Sequence, residues 1–414
     1  MTDSGNALID RSTLRALDRR PLETGLKGVP PQWWGRAPAE LVAAGPRLFD
    51  DGVFGPVCVL DADALAHNLA AMAQWCTERG VELAPHGKTH MSPQLAARQL
   101  EVGACAITVA TIGQAATYRA FGVRRLILAN ELVDPAGLAW LGAELDADPA
   151  LRVVCWVDSV RGVELMTAAL APAQRPVDVC VEVGLPGGRT GCRTDGDIDD
   201  VARAASSSPR LRLVGVAGYE AALGHGRDGD ALAVVRTHLD QVRAAAVRLA
   251  PLFETDQVLV TAGGSTYFDT VAEMLGDWPS TLTVRSVLRS GCYLTHDHGL
   301  YARTSPLHAV LRPALTVHAQ AVSCPEPGRA IVTMGRRDVA FDQDLPVPLD
   351  LPGSAVVKLN DQHAYLRLAD NEHVEVGQWS RFGISHPCTV FDKWRVICEL
   401  DADGRLVGLV RTFF

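Results

Sequence analysis

The chain has 414 residues and a mass of 44.3 kDa, enough for two ordinary domains or for one large α/β barrel with an appendage. Hydrophobic residues make up 48% and charged residues 21%, which excludes a wholly disordered chain, collagen and a small disulfide scaffold. The formal net charge is -9 and no strongly basic stretch is present, so nucleic acid is not an expected partner.

The N-terminal 20 residues lack the basic, apolar and small-residue order of a secretory signal, and no apolar run is long enough to span a bilayer. The ten cysteines are scattered without a CxxC pair, which is typical of buried free thiols. We therefore expect a soluble, cytoplasmic protein with no membrane partner. Residues 1–48 are predicted to be an N-terminal extension that packs on a β domain.

From about residue 49 to 298 the sequence alternates between short apolar runs, typical of buried parallel strands, and Ala/Leu/Arg-rich helical stretches. This rhythm predicts a (β/α)8 TIM-type barrel. Nine strand-like runs are present, one more than a barrel needs, and the surplus is assigned to 56–60, outside the barrel. The predicted strands are 56–60, 81–85, 106–110, 126–130, 151–157, 177–183, 212–217, 257–262 and 283–288, with helices such as 62–79, 92–102, 136–146 and 231–250 between them.

After about residue 299 the helical periodicity fades, and short alternating strands with Pro and Gly between them follow. Residues 299–414 are therefore predicted to form a second, mostly β domain. Its predicted strands are 314–322, 329–334, 364–368 and 394–400.

The segment Pro85-His86-Gly87-Lys88-Thr89-His90 places a lysine just after the first predicted barrel strand. Barrel active sites are built at the carboxyl ends of the strands. A lysine that forms a Schiff base needs such a position, with polar neighbours and a fixed amine. A solvated loop lysine with two incidental histidines is the structural alternative. Lysine is rare here, since only four are present.

Two glycine loops follow the seventh and eighth predicted barrel strands. The first contains Gly263, Gly264, Ser265 and Thr266, and the second contains Gly291, Cys292 and Tyr293. Backbone N–H groups of such loops bind anions, and barrels often hold phosphate at these two positions. Together with a lysine after the first strand, the loops suit a phosphorylated aldehyde, pyridoxal 5'-phosphate.

The motifs PHGKTH at 85–90, GYE at 218–220, AGGST at 262–266 and HPCTVFDKW at 386–394 resemble the D-serine dehydratase and D-threonine aldolase family. The resemblance implies an alanine racemase-like fold, in which the surplus strand joins the C-terminal β domain. It also implies a pyridoxal-phosphate enzyme that is usually a homodimer. Met91 stands where the family usually has a second lysine, which casts little doubt on Lys88.

His386 and Cys388 form a His-x-Cys pair whose imidazole and thiolate suit zinc. Two ligands are too few for a structural zinc, so an ordinary buried His and Cys is the alternative. By resemblance the pair matches the metal ligands of the family. Dehydratases of this family carry His-x-Cys and aldolases carry His-x-Asp, so Cys388 indicates the dehydratase branch.

Several further residues are predicted with alternatives left open. Arg189 is expected to bind the cofactor or the substrate carboxylate, and Arg193 is as well explained by a surface loop. Tyr219 is expected against the cofactor ring, with plain packing as its alternative. Among the remaining histidines, His363 is a candidate for a neighbouring subunit's site, His318 and His373 are expected in the core, and His296 and His298 are expected at a rim.

Together these features predict a zinc-dependent pyridoxal-phosphate dehydratase of D-3-hydroxy amino acids, with a small-molecule substrate and Lys88 as the catalytic residue. The first alternative is a metal-activated D-threonine aldolase. Racemisation is a third possibility, but it would leave the metal pair unexplained. A non-enzymatic cofactor carrier is the alternative from a different class, and the metal pair argues against it.

Overall fold

A computed structural model describes residues 8–414, which form two compact units. The barrel unit comprises residues 8–10, 73–88 and 99–291, and the β unit comprises residues 11–72, 89–98 and 292–414. All ten cysteines are free thiols, and none is in a disulfide. In the described part of the chain, no helix combines the length and the apolar character that crossing a bilayer requires.

Between residues 8 and 290 the structure contains nine strands, as the sequence predicts. They are β1 (Val57–Asp61), β2 (Glu82–Leu83), β3 (Ile107–Val109), β4 (Arg125–Glu131), β5 (Arg152–Val157), β6 (Val177–Val183), β7 (Leu211–Gly218), β8 (Val258–Ala262) and β9 (Val284–Leu288). Eight of them, β2 to β9, form one parallel sheet in the order β2-β9-β8-β7-β6-β5-β4-β3.

The two terminal strands of this order meet through the residues that follow β2. A parallel bridge joins His86 to Thr108, and the Thr108 N–H donates to the Pro85 carbonyl at 2.9 Å. The Thr108 hydroxyl also donates to the Ala84 carbonyl at 2.6 Å. These bonds close the sheet, and the predicted barrel from 81–85 to 283–288 is confirmed.

Helices alternate with the barrel strands because the intervening segments begin with strong capping residues. Asp134 accepts from the N–H of Gly137 ahead of a proline at the first helical turn, and Thr194 forms a capping box with Asp197. The helices are α1 (Arg11–Arg19), α2 (Pro38–Ala44), α3 (Ala62–Glu78), α4 (Pro93–Glu101), α5 (Ile112–Ala120), α6 (Pro135–Ala147), α7 (Val160–Ala169), α8 (Asp195–Ser206), α9 (Gly229–Arg248), α10 (Phe268–Met274), α11 (Leu300–Thr304) and α12 (Cys388–Phe391).

The C-terminal strands belong to the β unit and are β10 (Leu315–Glu326), β11 (Arg329–Val332), β12 (Val347–Pro348), β13 (Ala355–Leu359), β14 (Ala364–Arg367), β15 (Trp379–Gly383), β16 (Val396–Leu400) and β17 (Leu406–Arg411). With β1 they form a nine-stranded sheet in the order β13-β14-β11-β10-β1-β16-β17, with β15 paired to β10 and β12. The surplus strand β1 lies in this sheet, antiparallel to β10 and parallel to β16.

The N-terminal segment packs on this same sheet. Trp33 and Leu41 are fully buried in a cluster that also contains Val59 of β1 and Val396 of β16. The Trp33 indole donates to Asp51 at 2.7 Å, which satisfies the polar atom of a buried tryptophan. Residues 1–7 of the predicted extension lie outside the described part of the chain.

Candidate functional site

Lys88 lies in a short 3-10 turn, Gly87–Thr89, which is separated from the end of β2 by three residues and thus lies at the carboxyl ends of the barrel strands. It is half-buried, and its ammonium makes no hydrogen bond or ion pair to any described residue. The other three lysines are engaged: Lys27 bonds to Asp338, Lys393 pairs with Asp392, and Lys358 lies over the Tyr365 ring. Lys88 is therefore the lysine whose amine is available for chemistry.

The turn that carries Lys88 is held rigidly. The Tyr118 hydroxyl donates to the Gly87 carbonyl at 2.9 Å, and Tyr118 itself is fully buried. A Cβ at Gly87 would lie 2.7 Å from the Tyr118 ring, so only glycine fits between this ring and the neighbouring strand. The lysine therefore starts from a fixed backbone, which a covalently bound cofactor requires.

His86 is a neutral imidazole beside this lysine. Its Nδ1 is buried without a hydrogen-bond partner among the described residues. Burial, together with the nearby charges of Lys88, Arg289 and Arg189, lowers the pKa of His86 well below its usual value of 6.5. A buried, unsatisfied polar atom among three cations suits an anionic ligand that brings its own hydrogen-bonding groups.

The glycine loop after β8 is anchored by Glu220, which the sequence reasoning did not single out. The buried Glu220 carboxylate accepts from the N–H groups of Gly263 at 2.9 Å and Gly264 at 2.6 Å. These two N–H groups, predicted to bind an anion, already have an acceptor. Gly263 has φ of 99°, a backbone conformation that favours glycine, and a Cβ on Gly264 would press on the Tyr219 side chain at 3.1 Å.

The two predicted glycine loops contact each other. The Ser290 hydroxyl donates to the Gly264 carbonyl at 2.9 Å, and the Arg289 N–H donates to the Gly263 carbonyl at 3.2 Å. Thr266 is fully buried and its hydroxyl lies 2.8 Å from His225 Nδ1. The adjoining residues of the two loops are Ser265, which has polar contacts of its own, and Gly291, which is buried.

Arg289 is a buried cation at this end of the barrel that was not among the predicted site residues. Its guanidinium donates to the Thr261 hydroxyl and to the Gly218 carbonyl, each at 2.7 Å, and lies 5.5 Å from the Trp156 ring. Burial lowers its pKa, although Glu220 and Glu182 oppose this effect. The signal in the sequence was an arginine directly after a buried strand.

The Arg189 guanidinium lies 4.7 Å from the Tyr219 ring centroid, so the structure brings these two predicted site residues together. Arg193 instead clamps the loop that carries Arg189. Its guanidinium donates to four carbonyls of that loop, including Gly188 at 2.9 Å and Arg189 at 3.2 Å. Arg193 was predicted either to bind a ligand or to belong to a surface loop, and these contacts fit the second interpretation.

Three carboxyl groups also lie at the carboxyl ends of β4, β5 and β6. Both carboxyl oxygens of Glu131 and Oε2 of Glu182 are buried without a hydrogen-bond partner, and Asp158 directly follows β5. Burial and the neighbouring Glu182 and Asp158 raise the pKa of Glu131 to about 8. No sequence motif predicts this group, because the three residues belong to three separate strands or the loops that follow them.

The predicted metal pair lies in the β unit. His386 Nδ1 is 2.6 Å from the Asp342 carboxylate, which also accepts from the Thr389 hydroxyl at 2.6 Å. The His386 N–H donates to Asp297 at 2.9 Å and holds the residue at φ of 69°, a conformation that is costly for a non-glycine residue. Among residues 8–414 no cluster of three or more His, Cys, Asp or Glu side chains is arranged to hold a metal ion.

Cys292, predicted beside the cofactor, has its thiol in the β unit against Cys388, with the two sulfurs 3.6 Å apart. Thr89, the residue after Lys88, has its hydroxyl 3.5 Å from the Cys388 sulfur and 4.0 Å from the Cys292 sulfur. Tyr293 is buried in the 3-10 turn Cys292–Leu294. Cys388 is half-buried.

The structure also places the five other histidines for which the sequence analysis made a prediction. His373 is exposed, so the core interpretation is wrong for it, whereas His318 is half-buried, 3.2 Å from the Thr316 hydroxyl. His296 is fully buried, so the rim interpretation is wrong for it, whereas His298 is half-buried. His363 is exposed in a turn.

A model for the alanine racemase N-terminal domain matches residues 60–281, which is more than half of the chain. The chain belongs to this family. A second model, described as a putative serine dehydratase domain, matches residues 314–399 and thus includes His386 and Cys388. The resemblance found in the sequence motifs is thereby confirmed.

The curated relatives of this family member include both aldolases and a dehydratase. A D-threonine aldolase from an Arthrobacter species is 29% identical over 76% of this chain and 80% of that protein. A D-threo-3-hydroxyaspartate dehydratase from Delftia sp. strain HT23 is 25% identical over 84% of this chain and 94% of that protein. A 3-hydroxy-D-aspartate aldolase from Paracoccus denitrificans is also 25% identical, over 80% of this chain and 84% of that protein.

Solved structures agree with the fold assigned to this family member. The D-threonine aldolase from Filomicrobium marinum superposes with a TM-score of 0.76 at 26% identity, over 87% of this chain and 95% of that one. The D-threo-3-hydroxyaspartate dehydratase from Delftia sp. HT23 gives a TM-score of 0.70 at 23% identity, over 87% and 98%. The second likeness concerns the fold alone.

Proposed function

We propose that the protein is a pyridoxal-phosphate- and zinc-dependent dehydratase of D-3-hydroxy amino acids such as D-serine or D-threonine. The observation that carries the proposal is Lys88, a half-buried amine without a hydrogen-bond or ion-pair partner among the described residues, at the carboxyl ends of a closed barrel. The family relation supports it, since aldolases and dehydratases of D-3-hydroxy amino acids are among the relatives.

The residues at this end of the barrel fit the cofactor. Lys88 would bond to its aldehyde, the predicted loops around Gly264 and Gly291 would lie near its phosphate, and Arg189 with Tyr219 would flank its ring. The unsatisfied Nδ1 of His86 and the buried Arg289 supply polar groups and positive charge for an anionic molecule. When bound, pyridoxal phosphate supplies an electron-accepting ring that stabilises negative charge at the substrate α-carbon.

In the proposed reaction the Lys88 amine, released when substrate binds, accepts the proton from the substrate α-carbon. The low pKa of His86 keeps this imidazole uncharged at neutral pH, so it does not add a further cation beside the amine. Glu220 keeps the glycine loop in place through two N–H bonds, and Arg193 keeps the Arg189 loop in place through its four carbonyl contacts.

His386 and Cys388 are proposed to hold the zinc ion. The bond between His386 Nδ1 and Asp342 leaves Nε2 for a metal, which is the usual arrangement of a metal-bound imidazole and its carboxylate. A zinc ion there would supply a Lewis acid for a substrate hydroxyl. The overall reaction releases one water from the substrate and consumes one on hydrolysis of the enamine, so D-serine gives pyruvate and ammonia.

The alternative is a metal-activated D-threonine aldolase, favoured by the likeness to the Arthrobacter and Filomicrobium marinum aldolases. In that reaction the 3-hydroxyl loses its proton and the Cα–Cβ bond breaks, so D-threonine gives glycine and acetaldehyde. Cys388 favours the dehydratase, because the resemblance assigns cysteine at this position to that branch. A non-enzymatic cofactor carrier would leave both His386 and Cys388 without a role.

Product analysis tests the proposal. The purified protein, supplied with pyridoxal phosphate and zinc, is incubated with D-threonine, and the products are separated by chromatography. We expect 2-oxobutanoate and ammonia in equal amounts; glycine with acetaldehyde would replace the proposal by the aldolase. Lys88→Ala should abolish turnover and the visible absorbance of bound cofactor, whereas Lys358→Ala, which changes an exposed lysine of the β unit, should retain both. Turnover by Lys88→Ala would contradict the proposal.

A further inference from the structure

We propose that Cys292 is a third protein ligand of the zinc ion, together with His386 and Cys388. This inference rests on the proposed zinc site and adds a residue that the His-x-Cys motif does not contain. Cys292 and Cys388 are 96 positions apart in sequence, and both belong to the β unit. Their sulfurs are 3.6 Å apart in the structure.

The distance between the two sulfurs suits a shared tetrahedral zinc ion. Two thiolates at a Zn–S distance of about 2.3 Å, separated by the tetrahedral angle, lie roughly 3.8 Å apart. The observed 3.6 Å requires only a small adjustment. A disulfide would need the sulfurs to approach to about 2.05 Å. The distance between the two sulfurs therefore fits joint coordination of one ion.

The surroundings of the pair also suit two thiolates. The Thr89 hydroxyl lies 3.5 Å from one sulfur and 4.0 Å from the other, so it faces both. In the metal-bound form this hydroxyl becomes a hydrogen-bond donor to thiolate, the type of outer contact that stabilises a metal ligand. Cys292 is 5% exposed, so its thiol has little access to water that would compete for the metal.

His386 completes the set. Asp342 holds its Nδ1, and the free Nε2 is the donor atom that remains for the ion. No three-residue metal cluster is preassembled among residues 8–414, so His386, Cys292 and Cys388 must draw together when metal binds. The result is a site with three protein ligands and one open position, the composition of a catalytic zinc site.

Two sulfurs at the site set the choice of metal. Soft thiolate ligands favour zinc, whereas manganese and magnesium favour oxygen ligands. We therefore expect the protein to bind zinc or cobalt much more tightly than manganese or magnesium. We also expect manganese to be a poor substitute in the reaction, although it is a common ion in cells.

X-ray absorption of the zinc-loaded protein, with bound cofactor, tests the ligand set directly. We expect two sulfurs per zinc in the wild type and one in Cys292→Ser. Competition with a chromophoric chelator should show zinc affinity lower in Cys292→Ser and in Cys292→Ala by at least the roughly 10- to 100-fold that follows loss of an outer contact. Cys324→Ser, which removes an exposed cysteine of the same unit, is the matched control and should behave as wild type.

One sulfur per zinc in the wild type, or unchanged zinc affinity in both Cys292 variants, would overturn the inference. A thiol titration of the metal-free protein that finds two thiols fewer than the ten in the chain, with the difference lost in the Cys292 variants, would also overturn it, because Cys292 and Cys388 would then form a disulfide. Circular dichroism and the thermal midpoint of the metal-free variants distinguish lost ligation from failed folding. If two sulfurs are found and no D-3-hydroxy amino acid reacts, the proposed function fails while the ligand assignment stands.

Discussion

The two ends of the barrel strands differ in how their charges are satisfied. At the amino ends, Arg285 bonds to Glu82 through two contacts of 2.8 and 2.5 Å, and Arg212 bonds to Asp178 through two of 2.7 and 2.9 Å. These pairs line a cavity of about 560 Å³. Charges that are already paired in this way fit a role in the stability of the barrel rather than in chemistry.

At the carboxyl ends some polar groups are left without hydrogen bonds, although Glu220 and Arg289 are well bonded there. Lys88 has no hydrogen-bond or ion-pair partner among residues 8–414, and buried polar atoms of His86, Glu131 and Glu182 lack hydrogen bonds. Such groups cost stability, and a fold retains them where a ligand completes them. Within this barrel, the end at which we propose the reaction is thus also the end where buried polar groups lack hydrogen bonds.

Among the variants that test this difference between the two ends, Lys88→Arg is expected to have the largest effect on turnover. The guanidinium keeps the positive charge near His86 but stays protonated and cannot form a Schiff base. We expect turnover to fall at least ~1,000-fold, the scale on which loss of a covalent catalyst is felt. Steady-state kinetics with D-threonine measure it. Activity within tenfold of wild type would show that the reaction needs only a positive charge at position 88, and would contradict a Schiff base there.

A smaller effect is expected for Glu220→Gln. The variant weakens two hydrogen bonds to a charged carboxylate, each worth about 1.5–3 kcal/mol, and releases the loop of Gly263 and Gly264. We expect cofactor affinity to fall roughly 10- to 100-fold, as measured by absorbance titration. Glu254→Gln is the control, because this carboxylate accepts one N–H bond, from Leu213, near the amino ends. An equal loss of cofactor affinity in Glu220→Gln and Glu254→Gln would contradict the proposed difference between the carboxyl and amino ends of the strands.

The next effect concerns the pH dependence of stability in the cofactor-free protein. Glu131 has a pKa of about 8 when folded, above the usual value of about 4.3 for an unfolded chain. The folded state therefore holds an extra proton, and the free energy of unfolding falls as the pH rises through this window, by up to about 1.4 kcal/mol per pH unit.

Glu131→Gln should remove this dependence and raise stability near pH 8. Urea unfolding of both proteins at a series of pH values measures the difference. Glu78→Gln, on the exposed face of α3, is the control and should leave the slope unchanged. A variant slope as steep as that of wild type would assign the proton to another group.

The smallest effect is expected at the amino ends. Glu82→Gln removes a half-exposed ion pair with Arg285, and pairs of this kind contribute about 0–1 kcal/mol. We expect a slight loss in the free energy of unfolding and an unchanged kcat with D-threonine. A large fall in kcat, with the fold intact, would mean that this end takes part in the reaction.

The sequence predicted the barrel well because its strands are continuous apolar runs between clear helices. It missed β12, β13, β15 and β17, since these strands are short or carry polar residues such as Lys358 and Arg381, and pairing rather than periodicity defines them. Local motifs likewise predicted Lys88 and the glycine loops as candidates.

The parts of the site that depend on long-range contacts could not be predicted. Glu220 reaches the glycine loop across 43 positions, and Cys292 meets Cys388 across 96. No spacing rule connects residues so far apart in the chain. The carboxyl groups of Glu131 and Glu182 become neighbours only because β4 and β6 lie in the same closed sheet.

Borohydride reduction followed by peptide mass spectrometry tests the central claim most directly. The holoenzyme is reduced, digested and mapped, so that a lysine bonded to the cofactor aldehyde keeps the added mass. With only four lysines in the chain, the assignment is unambiguous. We predict the added mass on the peptide that contains Lys88. A modified peptide containing Lys27, Lys358 or Lys393 instead, or no modified peptide at all, would contradict the account.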